Sequence, residues 1–215
     1  MRFRWMAFVA AALVGGAALA QSAAPAAGPI EAGKQYRELS PAQPTGADAG
    51  KIEVAEFFMF GCPGCYALEP HLQAWLAHKP DYVSFIRIPA QWNSVAELHA
   101  RAFYTAEALG KVDEIDGPFF DEFHAKGNHL DTEEKLAEFF GRFGVDAAKF
   151  KSTFYSSEIE TKLKSALELV QRYKIPSTPT VIVNGKYLTN GSMAGTYDGW
   201  FAIIDELAAR EHGAP

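Results

Sequence analysis

Apolar residues cover both faces of the run at 52–60, the pattern of a central strand sheltered by helices on either side. Before it, 34–39 reads as an edge strand and 41–50 as a loop. After it, a helical pattern runs over 62–78, with Pro70 inside and expected to kink it. Residues 82–88 alternate and are rich in β-branched and aromatic side chains, so they form the next strand. A long helical block follows. Ser94 and Glu97 make a capping box for a helix ending near 110. A second helical pattern spans 111–125, broken or bent at Gly117-Pro118. Asp131 and Glu134 start a third helix, to 144. Asp146 starts a fourth, to 155, and Ser157 with Glu160 a fifth, to 173. Strand patterns return at 180–183 and 186–189, joined by Asn184-Gly185, a strong hairpin signal. An amphipathic helix at 197–210 closes the chain. One sheet interrupted by a helical insertion satisfies this order, an α/β arrangement with parts at 34–93, 94–165 and 166–215.

The only two cysteines of the 215 residues lie within this pattern, in Cys62-Pro63-Gly64-Cys65. A strand that feeds a CxxC opening a helix is the layout of a thiol–disulfide redox site. Two intervening residues allow a small, reversible disulfide. The first sulfur sits where free backbone N–H groups and the positive dipole end stabilise a thiolate. Pro63 suits the first helical position, because its missing N–H would have no partner there. Two other uses of a CxxC fit less well. A closed zinc or copper site needs more ligands than one CxxC, and His71 and His78 follow at spacings of no common zinc pattern. A purely structural disulfide over so short a loop removes little chain entropy.

The N-terminus changes the picture of compartment. Arg2 and Arg4 form a positive region before an apolar stretch at 5–20, and Ala18-Leu19-Ala20 reads as a cleavage site before Gln21. A membrane anchor is the alternative, but sixteen residues rich in Ala and Gly fall short of the ~20 that span a bilayer. A signal peptide at 1–20 places the CxxC where disulfides form and persist, outside the reducing cytosol. Its removal, with Arg2 and Arg4, leaves 195 residues carrying 18 basic and 26 acidic side chains, net −8. No basic tract stands out, so nucleic acid is not an expected partner. Ala- and Pro-rich residues at 21–33 read as a flexible leader.

Two further features carry chemistry. Glu56 interrupts an apolar strand and must be protonated, paired or wet if it is buried; a half-exposed edge position is the alternative. Arg87 on the next strand is a candidate counter-charge, against the simpler reading of a solvated strand-end residue. Pro176 and Pro179 both precede the 180–183 strand, and the residues alone do not separate them. The six histidines read as surface or helix-face residues. Phe119, Phe120, Phe123, Phe139, Phe140 and Phe143 recur at helical spacing and are expected to pack the insertion.

With these motifs in place, the chain resembles the DsbA family of exported thiol–disulfide oxidoreductases. The resemblance is carried by Glu56-Phe57-Phe58-Met59-Phe60-Gly61-Cys62-Pro63-Gly64-Cys65-Tyr66, then Thr178-Pro179-Thr180, Val183-Asn184-Gly185-Lys186-Tyr187 and Met193-Ala194-Gly195-Thr196-Tyr197. It implies a thioredoxin fold with an inserted all-helical domain, and Cys62 as the exposed reactive sulfur with Cys65 as its buried partner. It also implies a cis proline at Pro179 against the CxxC, Thr178 presenting its backbone to an extended substrate peptide, and Glu56 relaying protons for Cys65. No dissociable cofactor and no metal are expected. The implied partners are reduced or unfolded secreted proteins and a membrane quinone-linked oxidase of DsbB type, in the periplasm. The best-known members carry Pro-His between the cysteines, where this chain has Pro63-Gly64. A disulfide reductase or isomerase is the alternative within the same chemistry, although no segment reads as the dimerisation domain of an isomerase, and a monomer is expected. A peptide-binding chaperone with an incidental CxxC is the alternative from another class.

Overall fold

The computed structural model describes residues 29–214. The expected signal peptide and most of the expected leader lie outside them. The end of that leader belongs to the fold: Ile30 is buried, Ala32 bridges Tyr36, and Arg210 donates to the Ile30 carbonyl at 3.3 Å and to the Tyr36 hydroxyl at 3.1 Å.

The first half comprises β1 (Arg37–Glu38), β2 (Ile52–Phe58), α1 (Pro63–Leu76) and β3 (Val83–Pro89). Five helices follow: α2 (Ser94–Ala108), α3 (Val112–His124), α4 (Glu133–Gly141), α5 (Ala147–Phe154) and α6 (Ser157–Tyr173). The chain then returns through β4 (Thr180–Val183), β5 (Tyr187–Asn190), the short α7 (Gly191–Ala194) and α8 (Tyr197–His212). The sheet order is β1-β5-β4-β2-β3, with β2 parallel to β3 and antiparallel to β4. Helix α6 runs unbroken across the boundary drawn at 165, so one helix serves both the insertion and the sheet.

Every residue of β2 is buried, as its two-faced apolar pattern requires. The sheet divides the core. On one face Ile52 and Val54 meet Leu68, Leu72 and Trp75 of α1 and Trp200 and Ile204 of α8. On the other, Ala55 and Phe57 join a cluster that also takes in Phe58 at the end of the strand and continues into the insertion. There Phe60 stacks on Phe119 with centroids 3.9 Å apart, and Phe58 meets Phe103 edge-on at 5.1 Å. Such pairs contribute about 1 kcal/mol each beyond their buried area. The expected aromatic core therefore forms from Phe119, Phe120, Phe139 and Phe140, whereas Phe123 and Phe143 stay half-buried. The hairpin turn needs its glycine. Gly185 has φ +64°, and a Cβ there would lie 2.0 Å from the Gln43 carbonyl oxygen.

Several local expectations shift by a residue or fail. Asn93, Thr132 and Ser156 cap α2, α4 and α6 through their side chains, in place of Ser94, Asp131 and Ser157. Asp146 caps α5 as expected. Gly117-Pro118 does not break α3, and α1 continues through Pro70 as expected. Pro70 is exposed, so the Tyr66 carbonyl left without a helical partner can turn to water.

Candidate active site

Strand β2 delivers the chain to a turn in which Cys62 N–H donates to the Met59 carbonyl at 3.1 Å. Cys62 is the extended N-cap of α1, with φ −90° and ψ 115°, and Pro63 takes the first turn. The Cys62 carbonyl accepts from the N–H groups of Cys65 and Tyr66, both at 3.1 Å. No side chain caps this helix. The Gly64 N–H therefore serves the Cys62 sulfur, as does the Cys65 N–H, which the Cys62 carbonyl shares.

Both cysteines are thiols, and their environments push them apart. The Cys62 thiol is drawn down to about 5, chiefly by the hydrogen bond from Cys65, then by Thr178 and the two backbone N–H groups, against the opposing effect of burial. The Cys62 sulfur also lies 3.2 Å from the Thr178 carbonyl oxygen, to which the thiol form donates. Burial, the hydrogen bond to Cys62 and the nearby Glu56 carboxylate all push Cys65 far above the ordinary thiol range. Cys62 is not freely exposed, contrary to expectation. It retains 9 % of its accessible surface while Cys65 retains none. Limited iodoacetamide treatment of the reduced protein at pH 6.5 should label Cys62 and spare Cys65, read by peptide mass mapping; equal labelling of the two would contradict this ordering.

The Thr178–Pro179 bond is cis, as is Ser40–Pro41. Pro179 packs beside the CxxC, and Gly64 sets how closely. A Cβ at position 64 would sit 3.2 Å from Pro179 Cδ and 3.8 Å from Cys62 Sγ. A larger side chain there must push against the proline or turn outward. A cleft of about 200 Å³ opens alongside, lined by Gly64, Thr178, Pro179, Asn190, Tyr197 and Trp200.

Beneath the sulfurs lies a buried charge cluster. The β2–β3 register pairs Glu56 directly with Arg87. The Arg87 Nε lies 2.9 Å from Glu56 Oε2, an ion-pair distance not aligned as a hydrogen bond, and neither Glu56 oxygen has a hydrogen-bond partner among the described residues. Arg87 also reaches Glu69 of α1 and Asp116 of α3, each at 3.1 Å. Its guanidinium lies 4.2 Å from the centre of the Phe58 ring. Burial raises the Glu56 carboxyl, with Arg87 opposing and Glu69 and Cys62 adding to the rise. Glu56 is thus a buried, paired acid and not an edge residue, and Arg87 is its counter-charge.

Glu69 and Asp116 were not apparent as site residues from sequence. The signal was present: each is a charge within an apolar helical stripe, Cys65-Leu68-Leu72 in α1 and Ile115-Phe119 in α3. Two histidines are more than the surface or helix-face residues that the sequence suggests. His99 is buried against the His129 carbonyl. His124 lies 2.7 Å from the Phe60 carbonyl oxygen and stacks on Tyr66 at 4.8 Å, while Tyr66 donates to Asp121. The insertion is thereby fastened to both sides of the CxxC.

Comparison with known proteins agrees with this geometry. The family model described as DSBA-like thioredoxin domain matches residues 82–197. The thiol:disulfide interchange protein DsbA of Pseudomonas syringae pv. tomato is 37 % identical over 206 residues, 96 % of this chain and 95 % of its own. That of Bordetella pertussis is 32 % identical over 200 residues, 93 % of each chain. The crystal structure of Pseudomonas aeruginosa DsbA superposes with a TM-score of 0.80 at 36 % identity, covering 85 % of this chain and 94 % of that one. Oxidoreductase DsbA from Xylella fastidiosa gives 0.80 at 32 % identity, covering 86 % and 99 %. A thioredoxin fold with a helical insertion, two cysteines at a helix start and identity of this extent place the chain in the DsbA family of thiol:disulfide oxidoreductases, enzymes that oxidise the thiols of substrate proteins.

Proposed function

We propose that the protein donates a Cys62–Cys65 disulfide to secreted proteins through a mixed disulfide at Cys62. The observation that carries this reading is the opposite displacement of the two thiols. A substrate thiolate attacks Cys62 Sγ, the Cys62–Cys65 bond breaks, and Cys65 leaves with the electron pair. Because Cys65 strongly prefers its proton, it takes one as it leaves, with Glu56 the nearest buried acid to supply it. A second substrate thiolate attacks the substrate sulfur of the mixed disulfide. Cys62 leaves as a thiolate, which its low pKa favours. The substrate is oxidised by two electrons, and the enzyme ends as a thiolate and a thiol. Stabilising that thiolate stabilises the reduced enzyme and so makes the disulfide more oxidising.

The cleft beside Pro179 suits an extended peptide. Pro179 has no N–H to compete for the sulfur, and the Thr178 backbone offers edge hydrogen bonds. The positive N-terminus followed by an apolar stretch supports export to the periplasm by a cleaved signal peptide. Reoxidation there falls to a membrane quinone-linked oxidase of DsbB type, and the protein works as a monomer with its disulfide as its only redox group. Cys62, Cys65 and Glu56 carry the chemistry, and Pro63, Gly64, Thr178 and Pro179 shape the site.

The test is transfer to a reduced, unfolded secreted protein under anaerobic conditions. The oxidised enzyme should convert the substrate's thiols stoichiometrically, and Cys62→Ser should convert none. Cys65→Ala, premixed with a substrate carrying an activated disulfide, should hold a mixed disulfide that survives non-reducing electrophoresis. Full refolding activity in Cys62→Ser would favour a peptide-binding chaperone instead.

A further inference from the structure

Asp116 stands apart from the other acids of the cluster. It comes from the helical insertion, whereas Glu56, Glu69 and Arg87 come from the sheet and α1. Its Oδ2 accepts from Arg87, but its Oδ1 is buried with no hydrogen-bond partner among the described residues. Asp116 also lines a cavity of about 570 Å³ between the insertion and the sheet, whose wall includes Glu69, Arg87, Phe103, Glu107 and Asp113. Glu56, almost wholly buried, does not line it. The only buried aspartate among the described residues thus touches both the charge cluster under the sulfurs and a space large enough for water.

Three carboxylates around one guanidinium are over-supplied with negative charge at a buried place. Such a cluster retains protons rather than ionise fully. The groups facing Asp116 are Arg87 of β3, Glu56 of β2 and Glu69 of α1, with Asp113 of α3 and Glu107 of α2 around the cavity; Glu107 is itself paired with Lys162 of α6 at 2.6 Å. Burial pushes the Asp116 carboxyl up to about 7, against the pull of Arg87. Reduction of the disulfide adds a negative charge at Cys62, which acts on Glu56 directly and on Asp116 through the shared Arg87.

We infer that Asp116 is a redox-linked proton acceptor, taking a proton through the cavity when the Cys62–Cys65 disulfide is reduced and returning it when the disulfide reforms. It is a positioning residue that sets the potential through the cluster and does not touch the substrate. Reduction by two glutathione thiols yields glutathione disulfide, a Cys62 thiolate, a Cys65 thiol and one released proton. Uptake by Asp116 lowers that release below one. The inference rests on the proposed redox role of the Cys62–Cys65 pair.

Equilibration with glutathione between pH 5.5 and 8.5, with proton release counted in weak buffer, tests it. At pH 5.5 Asp116 is protonated in both redox states, so wild type and Asp116→Asn should share one equilibrium constant. At pH 8.5 the wild-type carboxylate opposes the thiolate, and the variant should be about threefold to tenfold more readily reduced, the range for charges coupled through a partly screened interior. Near pH 7 the variant should release more protons per disulfide than the wild type. Asp116→Ser, which keeps a hydroxyl near Arg87, is the second variant. Should neither fold, infrared difference spectra of reduced minus oxidised wild type, labelled at aspartate carboxyls, decide by the presence or absence of a protonated aspartate band. Parallel curves for variant and wild type, a full proton released by wild type across pH 6–8, or no labelled band would each overturn the inference. Failure of glutathione to reduce the pair at all would instead defeat the redox role itself.

Discussion

Reduced protein should be more stable than oxidised protein at pH 7 and above, the reverse of what an ordinary structural disulfide gives. In the unfolded chain a cysteine ionises near ~8.5, whereas folded Cys62 ionises at about 5. An acid whose folded pKa is depressed adds stability that is fully present above the unfolded value and lost as pH falls through the folded one. Across that window the reduced form gains about 1.4 kcal/mol per pH unit, or about 2.7 kcal/mol by pH 7 and about 4 kcal/mol by pH 8.5. Against this, cross-linking the four-residue CxxC loop restrains the unfolded oxidised chain by about 2 kcal/mol. The reduced form therefore leads narrowly at pH 7 and by about 2 kcal/mol at pH 8.5. Its lead vanishes at about pH 6.5, and below that the oxidised form leads. Cys65 sets the upper edge. It stays neutral in the fold but ionises in the unfolded chain above ~8.5, so the gain stops growing there. Paired urea curves for the two redox forms at pH 5.5, 7 and 8.5 check both magnitude and direction. An oxidised form that leads at every pH would mean that the Cys62 thiolate is not stabilised by the fold.

The parts of this site that sequence discloses are those governed by local rules. A CxxC at the junction of a β-run and a helix, Asn184-Gly185 between β-rich segments and a two-faced apolar strand each have few alternatives within a few residues. The helix starts were legible only to within one position, because capping residues come in pairs here: Asn93-Ser94, Asp131-Thr132 and Ser156-Ser157. Which member caps depends on the angle at which the chain enters the helix, and packing sets that angle. The rule that counts a lost hydrogen bond predicts a kink at Pro70 and a break or bend at Gly117-Pro118. It does not see that neighbouring packing holds the helix on both sides. Glu56 was legible as an anomaly and Arg87 as a candidate partner. The four-residue cluster was not, because it joins β2, α1, β3 and α3 across distances that no periodicity encodes. In sequence Gly64 stands out only as the residue in place of a histidine. Its role in letting Pro179 approach is visible only once the two loops, more than a hundred residues apart, meet.

Arg87→Met should destabilise the protein by about 3–5 kcal/mol at pH 8, more than any other single change in the cluster. The side chain is almost fully buried, with 6 % of its surface accessible, and three carboxylates converge on it. Methionine can occupy the volume over Phe58 but leaves the acids without their cation. Deleting one partner from a buried ionic group costs far more than the group contributes net, because the remaining charges stay desolvated. The loss should depend on pH in a definite direction. Without the guanidinium, the carboxylates have folded pKa values raised above those of the unfolded chain. Groups shifted that way contribute stability that is present below the unfolded pKa and lost as pH rises through the folded one. The deficit relative to wild type should therefore shrink from pH 8 to pH 5. Asp116→Asn added to Arg87→Met should recover about 1 kcal/mol or more at pH 8, since contacting sites couple by that amount, and little at pH 5. Chemical denaturation of the two single variants and the double variant at both pH values measures all four terms. A deficit under about 1 kcal/mol at pH 8, or one that grows on acidification, would show that the acids are neutral in the fold and that Arg87 acts there by packing alone.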